Sequence, residues 1–444
     1  MLHKSHCCRR KALAIKVTNN MDFIEELKWR GILNNSTPGV EEYLKNAPAK
    51  AYIGFDPTAP SLTIGNYVQI MLLKLFQLAG HQPIVLMGGA TGRVGDPSGK
   101  DEERQLKTFE ELDSNLSYQQ KQFYKFLDTE GPNKVLFMNN LDFYKEMNVL
   151  DFLRTAGKTL TINYMMSKDS VKTRIETGLS FTEFSYQLLQ AYDFETLYKT
   201  QDCKLQMGGS DQWGNITSGT EFIRKNIDGK AYALTVDLLT KSDGSKFGKS
   251  ASGNIWLDPN LTSPYKFYQY WINAADADLP KYFRYFTLKS KAEIETMEKD
   301  YAEDINAQKR LLAEELTCRV HSKEEYETVL KVSKIVFNKK ANNESLKELN
   351  SADLSTVANE LPRFEVKKSL LTAGVNVVDL LAENTSILES KGKVRQAIKG
   401  NAIAINKNKI ASHEDTINKE SLLHDKFIIV EHGKKFKFMI VAED

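Results

Sequence analysis

The 444-residue chain has little cysteine and no long apolar run, and both absences narrow its chemistry. The four cysteines are Cys7, Cys8, Cys203 and Cys318, a spacing that supports neither a disulfide framework nor a zinc site. No apolar stretch approaches the roughly 18 to 20 residues needed to cross a bilayer, and no signal-peptide core precedes a cleavage site. The sequence therefore predicts a cytoplasmic protein without a membrane partner.

Histidine is also scarce, and the charges nearly cancel. Seven histidines are scattered along the chain, so neither a metal cluster nor a Ser–His or Cys–His nucleophile pair is expected. The 60 Lys and Arg residues face 58 Asp and Glu residues, which leaves a formal net charge of +2. This balance excludes a polybasic coat for nucleic acid, so a polyanion must be bound by local basic patches.

Hydrophobic patterning predicts an α/β catalytic domain over residues 21–240. Residues 1–20 carry basic residues and no acid, and we expect a disordered extension there, either a targeting peptide or the product of a start codon placed too far upstream. The strand-length apolar runs are AYIGF (51–55), PIVLMGG (83–89), KVLFMN (134–139) and KLQMGG (204–209). Because helical stretches such as 66–79 separate these runs, the pattern indicates a Rossmann-like parallel sheet that binds ligands at the carboxyl ends of its strands.

The pattern changes after this domain. Residues 241–260 predict a mobile loop and linker, and residues 261–335 show helical periodicity typical of a helical domain. Residues 336–362, rich in Asn, Lys and Ser, predict a second linker. Residues 363–444 contain a basic helix followed by strands, which predicts a small α+β domain.

Glycine-rich stretches suggest an anion site. In GFDPTAPSLTIGNYVQIM (54–71), Gly65 lies near a helix start, where free backbone N–H groups favour a phosphate. GGATGRVGDPSGKDEER (88–104) has neither the dinucleotide fingerprint nor the Walker spacing. In DGSKFGKSASG (243–253), Lys246 and Lys249 suit a mobile arm over a polyphosphate, although a solvated basic loop would have the same composition.

Several long motifs, in this order, resemble bacterial-type tyrosyl-tRNA synthetases of class I. SLTIGN (61–66) and KFGKS (246–250) are similar to the two class signatures, and YIGFDPTAPSL (52–62) and GGSDQWGNI (208–216) are similar to further family motifs. The resemblance covers nearly everything after residue 21. It implies a ligase that joins tyrosine to ATP as tyrosyl-adenylate, releases pyrophosphate and then transfers tyrosine to the 3′ end of tRNA(Tyr).

The resemblance also implies the site. The catalytic residues would be Lys246, Lys249, Lys100, Arg104, Thr58 and Thr63. The tyrosine-binding residues would be Tyr52, Asp96, Tyr186, Gln190, Asp193 and Gln212, and the ATP-binding residues Gly54, Asp56, Gly65, Asn66, Gly209, Asp211 and Lys249. In these roles the lysines stabilise the leaving pyrophosphate, and Asp193 with Tyr52 binds the substrate phenol. Tyr186, Gln190 and Asp193 share one stripe of a helix, a pattern that a solvent face would also show.

Thr63 departs from the family pattern, because the first signature usually begins with histidine. Asn66 replaces the second histidine and can still donate to the nucleotide. Because Thr63 also keeps a hydroxyl, we expect retuned catalysis rather than a dead enzyme. Two alternatives remain open: a relative specific for tryptophan, against which Asp193 with Tyr52 argues because an indole has no phenol, and a catalytically silent RNA-binding protein, which only Thr63 supports.

The resemblance extends to the RNA-binding part and to the partners. Residues 261–335 would form the anticodon-binding domain, and residues 363–444 resemble an S4-type RNA-binding domain. Its candidate phosphate contacts are Lys393, Arg395, Lys399, Lys407 and Lys409. The family implies a homodimer and Mg²⁺ that accompanies ATP, with no dedicated metal site in the protein.

Overall fold

The computed structural model describes residues 21–46, 48–99, 105–175, 178–250, 253–336, 342–433 and 436–444. These residues form two compact units. The first comprises the described residues up to Thr262 together with Trp271–Arg319, and the second comprises Ser263–Tyr270 and Val320–Asp444. The expected extension, residues 1–20, lies outside the described residues. Within the described part of the chain, no helix is long and apolar enough to cross a membrane.

A six-stranded sheet forms the centre of the first unit. Its strands are β1 (Leu33–Ser36), β2 (Lys50–Phe55), β3 (Gln82–Met87), β4 (Leu136–Asn139), β5 (Leu205–Gly209) and β6 (Tyr232–Val236). The order across the sheet is β1-β6-β5-β2-β3-β4; β2 to β6 pair in parallel, whereas β1 pairs antiparallel with β6 at the edge. The predicted parallel sheet is therefore confirmed. The strand order changes direction between β5 and β2, which is where open α/β sheets bind ligands.

Nineteen α-helical segments surround or follow the strands. They are α1 (Phe23–Arg30), α2 (Val40–Asn46), α3 (Ile64–Leu78), α4 (Phe109–Phe123), α5 (Val149–Thr155), α6 (Ile162–Met166), α7 (Asp169–Ile175), α8 (Phe181–Gln201), α9 (Trp213–Ile227), α10 (Pro264–Ile272), α11 (Leu279–Phe286), α12 (Lys291–Asp300), α13 (Ile305–Val320), α14 (Lys323–Val336), α15 (Asn343–Leu346), α16 (Ser351–Glu360), α17 (Lys368–Ala373), α18 (Val377–Asp379) and α19 (Lys391–Lys399) among the described residues. Helix α3 is apolar on nearly all sides and is buried along most of its length, as expected of a helix covered by neighbours.

The core of the first unit positions the cavity described below. Tyr52 on β2 and Leu86 on β3 pack with Phe194 and Leu197 of α8 and with Ile223 of α9. Burial of these side chains fixes α8 against the sheet, at about 1.5 to 3 kcal/mol for each large apolar side chain. Phe194 therefore fixes the position of its neighbour, Asp193, relative to β2.

Residues 241–260 form more regular structure than a loop. They contain a short antiparallel hairpin of β7 (Lys249–Ser250) and β8 (Gly253–Asn254). The residues after the hairpin then run beside the start of α3, because Thr63 and Trp256 form an antiparallel bridge.

The second unit is built on a sheet of order β12-β11-β14-β15-β9 with a small additional pair, β10 with β13. The strands of this unit are β9 (Arg363–Lys367), β10 (Val375–Asn376), β11 (Ile403–Ile405), β12 (Asn408–Lys409), β13 (Thr416–Ile417), β14 (Phe427–His432) and β15 (Phe436–Glu443). Residues 336–362 differ from the expected linker, because their described part contains α15 and α16. Leu346, Leu354 and Val357 are buried there with Ile429 and Met439, so apolar packing orders a segment whose composition is mostly polar.

The predicted helical domain, residues 261–335, contains helices α10 to α14. Its residues divide between the two units rather than forming a third one.

Candidate active site

A cavity of about 320 Å³ lies beside β2 and β5 in the first unit. Most of the predicted substrate residues line it, although they are spread from β2 to the turn after β5. The predicted residues in the lining are Tyr52, Gly54, Asp56, Thr58, Gly65, Asn66, Asp96, Tyr186, Gln190, Asp193, Gly209, Asp211 and Gln212. Lys100 and Arg104 lie outside the described residues.

Asp193 is the most buried carboxylate of this cavity, with 1% of its surface exposed. Its Oδ1 accepts a hydrogen bond from the Tyr144 hydroxyl (2.7 Å), and its Oδ2 accepts one from Asn140 Nδ2 (2.8 Å). Burial raises the pKa of Asp193 to about 7, although both donors act to lower it. Asp193 is therefore near the midpoint of its titration at neutral pH.

Tyr52 lies close to Asp193 with its phenol unsatisfied. Its hydroxyl is buried and has no hydrogen-bond partner among the described residues, while its ring packs on Phe194 with centroids 5.3 Å apart. Burial, and next the charge of Asp193, hold the pKa of Tyr52 well above its usual value, so the phenol stays a donor. The side-chain oxygens of Gln190 and Gln206 are also buried without a partner among the described residues. A buried unpaired polar atom costs about 1 to 3 kcal/mol, so this cluster indicates a polar ligand.

A second polar group lies further along the lining. Asp56 accepts hydrogen bonds from the Tyr186 hydroxyl (2.9 Å) and from Thr91 Oγ1 (2.6 Å). Asp96 accepts one from Gln212 Nε2 (2.6 Å). Tyr186, which we expected to bind the substrate tyrosine, therefore also orients the carboxylate of Asp56.

Glycine is required at position 88, beside the carboxylate of Asp56. A Cβ on Gly88 would lie 2.0 Å from Asp56 Oδ1, so any side chain there would displace that carboxylate. Asp211 lines the same cavity, and its pKa is raised, first by burial and then by the charge of Asp96. The lining is thus acidic and suits a cationic group or hydroxyl donors.

Thr63 caps α3 rather than lining the cavity. Its Oγ1 accepts from Asn66 N (3.4 Å) and donates to Asn66 Oδ1 (2.9 Å), while Thr63 N donates to the same Oδ1 (3.0 Å). This reciprocal pattern is a capping box, for which threonine is well suited. The structure brings Asn66 and Gly65 into the lining but leaves Thr63 outside it.

Lys246 and Lys249 are exposed and are not part of the lining. Between them, Phe247 stacks on Phe286 with centroids 5.2 Å apart. A Cβ on Gly248 would lie 3.5 Å from Gly65 N. The segment from Lys246 to Lys249, the lysine loop, therefore runs directly beside the start of α3. The lysines are therefore next to the cavity without entering it.

Among the RNA-binding candidates, Lys407 needs correction. Its side chain is only 5% exposed, and its Nζ donates to Glu431 Oε1 (2.8 Å) and to the Val336 carbonyl oxygen (2.8 Å). A buried, paired ammonium group is not available to a phosphate. The other candidates, Lys393, Arg395, Lys399 and Lys409, are exposed.

The sequence did not identify Asn140, Tyr144, Thr91 or Gln206 as parts of the site. Asn140 directly follows β4, and the carboxyl-end rule could have found it. Tyr144 lies behind Asp193 and has no comparable signal. No group of three His, Cys, Asp or Glu residues in the described chain could hold a metal ion.

Comparisons with known proteins agree with this geometry. The family "tRNA synthetases class I (W and Y)" matches residues 44–338, and the "Tyrosine--tRNA ligase SYY-like C-terminal domain" matches residues 353–441. The tyrosine–tRNA ligase of Cytophaga hutchinsonii is 52% identical over 424 residues, which cover 94% of this chain and 99% of the relative. That of Bacteroides fragilis is 48% identical over 431 residues, which cover 95% of this chain and 100% of the relative.

A solved structure supports the fold. A C-terminally truncated mitochondrial tyrosyl-tRNA synthetase from Aspergillus nidulans matches with a TM-score of 0.62 and 28% identity, covering 71% of this chain and 94% of that one. The predicted resemblance is confirmed by sequence over nearly the whole chain and by fold over most of it. The chain therefore belongs to the class I tRNA synthetases of the tryptophan and tyrosine group, and within that group to the tyrosine–tRNA ligases.

Proposed function

We propose that this chain binds tyrosine and ATP side by side in the cavity, joins them as tyrosyl-adenylate and passes the tyrosyl group to the 3′ end of tRNA(Tyr). The observation that carries the proposal is the unpartnered phenol of Tyr52 close to the carboxylate of Asp193. A substrate phenol between them would accept from Tyr52 and donate to Asp193. Phenylalanine would leave the buried Tyr52 hydroxyl unpaired, at about 1 to 3 kcal/mol, and would deprive Asp193 of the phenol donor, so it is rejected.

The amino group of tyrosine would meet the acidic part of the lining. Asp96 supplies the opposite charge, and Gln212 holds its carboxylate in place. Gln190 contributes a carbonyl oxygen that has no partner among the described residues, and Tyr186 adds a hydroxyl. These acceptors suit an ammonium group, which has three donors and no acceptor.

ATP would occupy the part of the cavity next to α3. Gly54 leaves room for the nucleotide, since a Cβ there would meet no atom within 4 Å. Gly65 and Asn66 line this part of the cavity at the start of α3, where the positive end of the helix dipole favours phosphate. Asp211, beside Gly209, would accept hydrogen bonds from the ribose hydroxyls.

Activation needs no protein nucleophile. A carboxylate oxygen of tyrosine forms a bond to the α-phosphorus, the bond from that phosphorus to the bridging oxygen breaks, and pyrophosphate leaves with the electron pair. Lys246 and Lys249 would stabilise the growing negative charge, as would Lys100 and Arg104. Mg²⁺ would accompany the triphosphate as part of the substrate.

An exposed apolar surface on α5, α6 and the start of α8 supports a homodimer. Val149, Leu150, Ile162 and Phe181 are between 65% and 75% exposed. The elements that carry them share one buried apolar cluster, and large apolar side chains exposed on neighbouring elements are typical of an interface. We propose a second copy of this chain as the partner, and Leu150→Asp should convert a dimer into a monomer in sedimentation velocity.

The basic face of α19 would contact tRNA. We place this activity in the cytoplasm, where the substrates of the enzyme are found. Lys393, Arg395 and Lys399 are exposed on this helix and could reach phosphates. Lys409, also exposed, would extend the same basic surface.

Exchange of pyrophosphate into ATP, with tyrosine, phenylalanine and tryptophan supplied in turn, tests the proposal. The wild type should be active with tyrosine alone. Asp193→Asn and Tyr52→Phe should reduce the preference for tyrosine over phenylalanine, whereas Asp228→Asn, at an exposed position outside the cavity, should not. Exchange driven by tryptophan, or by none of the three, would contradict the proposal.

A further inference from the structure

We propose that Tyr144 is a positioning residue that determines specificity: its hydroxyl orients the Asp193 carboxylate and favours its ionised form, so that Asp193 can accept the substrate phenol. This inference rests on the proposed function, in which Asp193 recognises that phenol. Tyr144 is not among the residues that line the cavity, so it acts on the substrate only through Asp193.

The geometry leaves the Tyr144 hydroxyl well placed for this role. Tyr144 ends a 3₁₀ turn, Asn140–Tyr144, that follows β4. Its ring packs on Tyr192 with centroids 5.5 Å apart and on Phe152 with centroids 6.2 Å apart. These contacts hold the hydroxyl 2.7 Å from Asp193 Oδ1.

A second acceptor among the described residues competes with Asp193 for the hydrogen bond that the Tyr144 hydroxyl donates. The carbonyl oxygen of Leu189 lies 3.0 Å from the hydroxyl, which can donate only one hydrogen bond. A bond to an ionised carboxylate is roughly twice as strong as a bond to a neutral carbonyl. When the Asp193 carboxylate is charged, it therefore accepts the hydrogen bond from Tyr144. This preference stabilises the charged form of Asp193.

Because of the groups around Asp193, the influence of the Tyr144 hydrogen bond on the pKa of Asp193 can be measured. The titratable groups that face it are the phenols of Tyr52, Tyr144 and Tyr186 and the carboxylate of Asp56. Burial keeps the pKa of each phenol well above its usual value, so the phenols stay neutral near pH 7. The Tyr144 bond acts to lower the pKa of Asp193, and its loss should raise that pKa further.

The test compares Tyr144→Phe with Tyr192→Phe, which removes a hydroxyl from the neighbouring ring of the same aromatic cluster. Pyrophosphate exchange gives kcat/KM for tyrosine and for phenylalanine across pH 5.5 to 8.5. Tyr144→Phe should reduce the preference for tyrosine about tenfold or more, as expected for a hydrogen bond to a charged group, and should move the acidic limb of the tyrosine profile to higher pH. Tyr192→Phe should change neither.

A second variant tests the opposite direction. 3-Fluorotyrosine placed at position 144 keeps the ring and donates more strongly, so the acidic limb should move to lower pH. Wild-type selectivity and an unshifted limb in Tyr144→Phe would overturn the inference while the proposed function stands. If Tyr144→Phe does not fold, an unshifted or raised limb with fluorotyrosine overturns it. A wild type that does not activate tyrosine would instead contradict the proposed function.

Discussion

The backbone N–H of Ile64 donates to the carbonyl oxygen of Ile255 at 3.0 Å, and this bond joins the start of α3 to the segment after the β7–β8 hairpin. Leu257 N donates in the same way to the Leu62 carbonyl oxygen at 2.8 Å. Ile255 N in turn donates to the Gly248 carbonyl oxygen at 3.0 Å, so Ile255 links the two class signatures, although they are far apart in sequence. The lysine loop is therefore anchored beside the α3 end of the cavity while its ammonium groups remain exposed.

Replacing Lys246 or Lys249 with alanine should slow tyrosyl-adenylate formation by about 10²- to 10³-fold, because each ammonium group would stabilise charge that develops in the transition state. Tyrosine affinity should stay within about twofold, since neither lysine lines the cavity. Stopped-flow measurement of adenylate formation separates the two quantities. Lys125→Ala, which removes an exposed lysine after α4, serves as the control; full activity of the Lys246→Ala, Lys249→Ala double variant would disprove this role.

Thr63 should affect stability through its cap, and through the catalytic role expected of this signature position it should affect the rate of adenylate formation. Thr63→Ala should lower the free energy of unfolding by about 1 kcal/mol, because α3 loses its capping hydroxyl, whereas Thr63→Ser should keep most of it. Thr63→His should change the rate of adenylate formation with little effect on tyrosine affinity. Urea unfolding and stopped-flow kinetics measure these effects, and a change in tyrosine affinity without a change in rate would refute the kinetic part.

Asp193 should make stability depend on pH. Its pKa rises from 3.8 to about 7 on folding, so between about pH 4 and pH 7 the folded chain holds a proton that the unfolded chain releases. Stability from this group is therefore complete at low pH and is lost as pH rises through 7. Between pH 5 and pH 8, wild type should lose about 2 to 3 kcal/mol relative to Asp193→Asn in urea unfolding. Parallel pH curves for the two proteins would show that Asp193 does not titrate in this range.

Lys407 and Arg395 should behave differently although both are basic residues of the second unit. Lys407→Met should destabilise this unit by about 1 to 3 kcal/mol, because its ammonium group is buried against Glu431. Arg395→Ala should leave stability unchanged, weaken tRNA binding and reduce the salt slope of log K by about 1. A reduced salt slope for Lys407→Met would contradict the structural role that burial indicates.

Particular elements show where sequence patterns were sufficient to predict the secondary structure and where they were not. The apolar runs at 51–55 and 83–89 predicted β2 and β3 because a strand buried on both faces needs apolar side chains throughout. Strand β1, with the sequence LNNS, has no such pattern, since it pairs at the exposed edge. Helix α16 lies in a segment whose Asn and Ser residues suggested a linker. One of those residues, Asn350, in fact caps the helix.

By itself the sequence determined the order of strands and glycine-rich turns, and thereby the kind of sheet and the edge beside which the cavity lies, because these depend on local periodicity and backbone conformation. Only the tertiary structure decided that Tyr144 and Asn140 meet the two oxygens of Asp193 and that Lys407 is buried. Such contacts join residues from separate elements, and they arise only when the crossover connections and apolar packing place those elements side by side.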